Sequence, residues 1–194
     1  MKATATLRHE HDVIRQGLAV LDAYAARVAA GQVPPAADIG GLLDFFTDFA
    51  DGCHHVKEET MLFPALAAAG LPRSDGPVGL LLEQHEQGRH LVAHLKDAAP
   101  DLAQDAAARR RFADAAREYV AMLEAHIAME NDAVFPTADG MLSEERDREL
   151  TAAFDRHEQE EMGADVHGRF HRMLDDLARR YLAGGPGAAV TTRS

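Results

Sequence analysis

Apolar residues recur every three or four positions along most of this chain and nowhere alternate strictly with polar ones. The first such stretch runs from about residue 6 to 30, with Val13, Leu18, Leu21 and Val28 at the spacing of an amphipathic helix. Gly31 and the Pro34–Pro35 pair stop it. A second, about 38–69, places Leu42, Phe45, Phe46, Phe49, Leu62 and Leu66 on an apolar face ahead of Gly70 and Pro72. Pro64 lies inside it and predicts a kink or break near Phe63, because proline lacks a backbone donor and crowds the preceding turn. A third helix is predicted from Pro77, which suits a first turn, to about Ala99. Asp101 and Gln104 read as a capping box for a fourth, reaching about Val134. Ser143, followed by Glu144 and Glu145, predicts the start of a fifth that reaches about Glu161. A further helical stretch is predicted over about 165–182. The fold class is therefore all-α. The expected architecture is an antiparallel up-down four-helix bundle over 1–140, a C-terminal helical extension over 141–183 packed on it, and a flexible, glycine-rich tail over 184–194.

Composition agrees with helices and narrows the function. Apolar residues make up 46% of the 194 and aromatics only 6%, with no tryptophan, which favours closely packed, alanine-rich helices over a sandwich of sheets. The 20 basic against 32 acidic residues leave a net charge of −12. A surface that negative repels phosphate backbones and anionic lipid, so neither a nucleic acid nor a membrane is an expected partner. A single cysteine, Cys53, excludes an intramolecular disulfide, and no apolar leader is evident. A cytoplasmic protein is expected. No nucleophile–base arrangement or glycine-rich phosphate loop stands out, so no catalytic residue is assigned.

Histidine is the unusual component, with eleven in the chain. His54, Glu58, Phe63 and Pro64 recur 72 residues later as His126, Glu130, Phe135 and Pro136. A weaker echo precedes each: His11, Arg15, Leu18 and Leu21 match His85, Arg89, Val92 and Leu95 at an offset of 74. The chain thus writes one helical hairpin twice, with a histidine on its first helix and His-x-x-x-Glu on its second. Residues four apart share a helix face, so His54 with Glu58, and His126 with Glu130, can converge on one point. One such pair would signify only a solvated surface. Two copies with the same Phe-Pro flank point to a metal site, since buried carboxylates among imidazoles require a cation. Four histidines and two glutamates from four helices suit a pair of divalent metals bridged by the carboxylates. An alternative register pairs His55 with Glu59, but the repeat aligns Glu130 with Glu58. His55 would then face solvent or stand behind the ligands, about 100° from His54.

These motifs, namely His11, CHHVKEETMLFP at 53–64, LLEQHEQGR at 81–89 and HIAMENDAVFP at 126–136, resemble the hemerythrin-like, or HHE cation-binding, proteins over about residues 5–140. The segment FDRHEQEEMGADVHGRFH at 154–171 is similar to an extension of some bacterial members. The resemblance implies two non-haem iron ions, bridged by carboxylates and an oxo or hydroxo group, with zinc or manganese as alternatives. It places ligands at His11, His54, Glu58, His85, His126 and Glu130. Oxygen-carrying hemerythrins have a further histidine where this chain has Arg89. Supplementary ligands are then sought at His167 and Glu158 in the extension.

The implied function is binding or sensing of dioxygen, nitric oxide or peroxide at that site. Three other functions fit the same residues: a di-iron oxidoreductase such as a catalase-like peroxide-decomposing enzyme, an iron storage, delivery or iron–sulfur repair protein, and a metal-free structural bundle. The expected partner is a small diatomic molecule or peroxide, and no motif identifies a protein partner.

Overall fold

The structure is a computed structural model that describes residues 1–162 and 166–182. The predicted glycine-rich tail lies outside the described residues. No strand occurs among those described. Helix α1 spans Lys2–Ala29. The second rod begins as α2 (Ala36–Asp44), passes through π-wound segments Phe45–His55 and Glu58–Leu62, and ends as α3 (Phe63–Ala68). Helix α4 (Pro77–Ala98) is the third rod, and α5 (Ala106–Met129), a π-wound Glu130–Val134 and α6 (Phe135–Met141) form the fourth. The extension contains α7 (Glu144–His157), a π-wound Glu158–Met162 and α8 (Val166–Tyr181).

The bundle has two apolar cores, and the order in which each rod meets them shows that neighbouring rods run antiparallel. One core holds Ala3 and Leu7, then Leu62, Phe63 and Leu66, then Val78 and Leu81, then Val134, Phe135 and Ala138. The other holds Val13 to Val28, Ile39 to Ala50, Leu91 to Ala98 and Ala108 to Ile127. Each rod therefore crosses from one core to the other, in alternating direction. Between them lies a layer of buried polar side chains from all four rods: Glu10, His11, His54, His55, Lys57, Glu58, His85, His126 and Glu130. The extension covers both cores, α7 through Leu150 and Phe154 and α8 through Phe170, Leu174 and Leu177.

Of the predicted kink or break at Pro64, the break does not occur. Backbone dihedrals stay helical through Leu62 and Phe63, and the turn before proline widens instead. The Phe63 amide reaches back five residues to the Glu58 carbonyl, a π turn that relieves crowding by the ring while keeping the rod continuous. The second copy does the same, with the Phe135 amide on the Glu130 carbonyl. The predicted Asp101 capping box is replaced by a short 3-10 turn, Ala99–Asp101. The true N-cap is Asp105, whose Oδ1 accepts from the Ala107 amide at 2.7 Å. Gly31 and Gly70 end their helices as predicted, with φ of 78° and 105°. In each case the following amide closes onto a carbonyl five residues back.

Helix α1 has no cap in its own sequence. Asp147 of α7 supplies one, its carboxylate accepting from the Lys2 and Ala3 amides at 3.0 Å each. We expect Asp147→Ala to cost about 1 kcal/mol of stability, the usual worth of a helix cap. A denaturant titration that found no change would remove this cap from the account of how the extension is attached.

Candidate metal centre

The polar layer is built from pairs one helical turn apart, which is why each rod contributes there. Glu58 stands between His54 and His85: its Oε1 is 3.5 Å from His54 Nε2 and its Oε2 is 3.5 Å from His85 Nε2. Glu130 stands between the other two histidines, its Oε2 3.1 Å from His11 Nε2 and 3.2 Å from His126 Nε2. His85 and His126 turn their Nε2 atoms on each other at 3.2 Å. Ligand atoms of His11, His54, Glu58 and Glu130 lie within 4.8 Å of one another, as do those of Glu58, His85, His126 and Glu130. Two four-donor groups thus share the same two carboxylates.

The opposite nitrogen of each imidazole is held from outside. Nδ1–H of His11 donates to Asn131 Oδ1 at 3.1 Å, and that of His54 to Glu10 Oε2 at 2.8 Å. His85 Nδ1–H donates to Glu59 Oε1 at 2.7 Å, and His126 Nδ1–H to Gln84 Oε1 at 3.0 Å. Every one of these partners is an acceptor, so the neutral tautomer places its bare Nε2 lone pair inward. This is how proteins orient metal-ligating histidines. It also explains why the short Nε2–carboxylate approaches satisfy nothing. All four oxygens of Glu58 and Glu130 are buried without a hydrogen-bond partner, as are Nε2 of His11 and His54. Lone pairs facing lone pairs in a dry layer repel unless a cation lies between them. The donor set fits divalent metals of the first transition row, which accept imidazole and carboxylate together.

The electrostatics of the layer follow from burial and crowding. Burial, followed by the neighbouring Glu130, pushes the Glu58 carboxyl well above its ordinary range. Glu130 goes well below it: burial opposes its ionisation, but the pull that His126 and His11 exert in their protonated form outweighs it. Burial lowers His54 to about 4 against the pull of Glu10, and lowers His85 against the pull of Glu59. Glu10 itself, although buried, is held at about 2 by His54 and Lys57.

The structure thus brings together His11, His54, Glu58, His85, His126 and Glu130. It directs Glu158 elsewhere: Glu158 Oε1 accepts from Lys57 Nζ, 30% of its side chain stays exposed, and it falls in a group with Glu10 and Cys53 rather than with the six. His167 lies within α8, but its side chain lies outside the described residues. Tyr119 is buried in the core beside the layer, and Cys53 is a buried residue whose thiol burial pushes up to about 12. His90 and His94 are exposed, whereas His157 is half-buried and contacts the Gly52 carbonyl at 3.1 Å.

Three buried residues of the layer lie outside the six: Glu10, His55 and Lys57. His55 is turned inward, its ring stacked 3.9 Å from that of His85. The assumed 100° step from His54 holds for an α-helix, but Phe45–His55 is π-wound, and wider winding brings successive side chains closer in angle. The His-His doublet was the available signal. Lys57, fully buried, bonds Glu10 behind His54; nothing in its surroundings in the sequence distinguishes it from a surface lysine. The repeated phenylalanines wall the layer in crosswise, Phe135 stacking on His11 at 5.3 Å and Phe63 on His85 at 6.1 Å.

Comparison with known proteins agrees with this construction. Uncharacterized proteins of Mycobacterium bovis and Mycobacterium tuberculosis are 27% identical to the chain over 177 residues, which is 91% of this chain and 68% of theirs. No solved structure matches significantly. The profile of the hemerythrin HHE cation-binding domain matches residues 2–138, the four rods that carry the polar layer, and the chain belongs to that family.

Proposed function

We propose that this protein holds two iron ions in the polar layer and binds or senses a small oxidant, dioxygen, nitric oxide or peroxide, at them. His11 and His54 would hold one iron, His85 and His126 the other, with Glu58 and Glu130 between them. The observation that carries this reading is the set of four buried, unpartnered carboxylate oxygens facing inward-turned Nε2 atoms. A pair of carboxylates shared between two donor groups suits iron or manganese better than zinc, which favours four-coordinate sites of its own. When bound, the irons supply a redox-active centre with room for a diatomic molecule or peroxide.

The protein's own part is orientation and exclusion of water. Asn131, Glu10, Glu59 and Gln84 fix the imidazole planes. The two apolar cores close the layer from both ends, with Phe63 and Phe135 against its histidines. On one side a cavity of about 320 Å³, lined by Phe46, Gly88, Val92 and Tyr119, reaches His55 and offers a small molecule a way in.

The test is metal analysis with an optical spectrum on protein purified aerobically from iron-supplemented cells. The expected result is about two irons per chain with near-ultraviolet charge-transfer bands. Zinc alone, or one metal per chain, would defeat the di-iron reading. Assays with dioxygen, nitric oxide and hydrogen peroxide then separate binding from turnover.

A further inference from the structure

His55 resembles the other four inward histidines in its burial and in the direction of its two ring nitrogens, although it groups with His85 and His126 rather than with the two carboxylates. It is 3% exposed, and its Nε2 is buried with no hydrogen-bond partner. Its Nδ1–H is directed outward to an acceptor, Asp51 Oδ1, at 3.3 Å. Its ligand nitrogen lies within 4.8 Å of those of His85 and His126. A buried imidazole whose only role was to fill space would leave that nitrogen desolvated for no return, at a cost a phenylalanine or leucine would avoid.

The outer support of His55 is itself braced. Arg89 of α4 donates through Nε to both oxygens of Asp51, at 3.0 and 3.2 Å. The same guanidinium bonds Glu59, the acceptor behind His85. One arginine therefore fixes the carboxylates that aim two imidazoles at one place, meeting each with a separate nitrogen of its rigid, planar guanidinium.

We propose that His55 is a fifth imidazole ligand, serving the metal held by His85 and His126. This rests on the two-metal reading above and makes the pair unequal, with three imidazoles on the α4–α5 side and two on the α1 side.

Histidine-selective nitrogen-15 NMR on the full chain loaded with zinc, a diamagnetic probe, tests it without any variant. The expected spectrum has five imidazoles whose Nε2 carries the metal-bound shift and whose Nδ1 carries the proton, His55 among them. A zinc-competition titration adds a second readout: His55→Ala should weaken one of the two zinc equivalents by about 100-fold and spare the other. Arg89→Met, which leaves all five histidines in place, should weaken the same equivalent by about 10-fold. A chain that takes up two zinc ions while His55 Nε2 keeps the shift of a free imidazole overturns the fifth ligand alone. A chain that takes up none overturns the two-metal reading beneath it.

Discussion

Glu130→Ala should abolish stable metal binding, and Glu58→Ala should do the same, because each carboxylate serves both donor groups. His126→Ala should remove at least one metal, whereas His94→Ala, at an exposed position, should leave metal content at the wild-type level. Metal per chain, measured after dialysis, checks all four. Stability should respond in the opposite sense for one conservative change. In the metal-free protein Glu58 is a buried carboxyl raised far above its ordinary range beside Glu130, so Glu58→Gln removes a strained group and should leave the apoprotein as stable or more so. The same variant should lose most of the gain from metal. A metal at a thousand times its dissociation constant stabilises the folded state by about 4 kcal/mol, on the order of 10 °C for a chain of this size. Thermal melts with and without metal measure that difference. A bundle whose polar layer were only structural would show equal melting shifts in wild type and Glu58→Gln, and that outcome would sink the assignment.

The bundle and its six converging residues were legible because both are periodic. The 72-residue repeat states the fold symmetry and the His-x-x-x-Glu pairs at once, and antiparallel rods that each cross between the same two cores bring the pairs to one level. What escaped was non-periodic or non-local. Proline at 64 and 136 reads as a break if the turn before it is held to α geometry, and the chain widens that turn instead. His55, placed about 100° from His54 by α geometry, is buried within the π-wound Phe45–His55. Asp147, capping a helix 144 residues away, and Lys57, buried among carboxylates from α1 and the extension, depend on contacts that no local pattern encodes. Arg89, read as a lost ligand position, braces Asp51 and Glu59.

Lys57→Met should be strongly destabilising although it lies outside the ligands. Lys57 has no exposed surface, bonds Glu10 and Glu158, and lies 5.8 Å from the centre of the Phe154 ring. Although burial opposes it, Glu10 and its other acidic neighbours hold the ammonium well above its ordinary pKa. Methionine keeps most of the volume, so the loss is one of charge. Glu158 is partly exposed and can return to water, but Glu10 is then stranded in the core with only His54 against it. Breaking a buried pair in this way costs about 3–5 kcal/mol, read from denaturant midpoints. Glu10→Gln in the same protein should recover most of it, since the amide oxygen can still accept from His54 Nδ1–H; a double-mutant cycle isolates the coupling. The pair also sets an acid limit. Glu10 titrates at about 2 in the fold against 4.5 ordinarily, so its contribution is complete above about pH 4.5 and is lost as the pH falls towards 2. The metal-free Lys57→Met, Glu10→Gln double variant should lack that part of the acid transition. If Lys57→Met instead matched wild type in midpoint and acid profile, the lysine would be an incidental contact, and the link it makes from the extension through Glu10 to His54 would carry no energy.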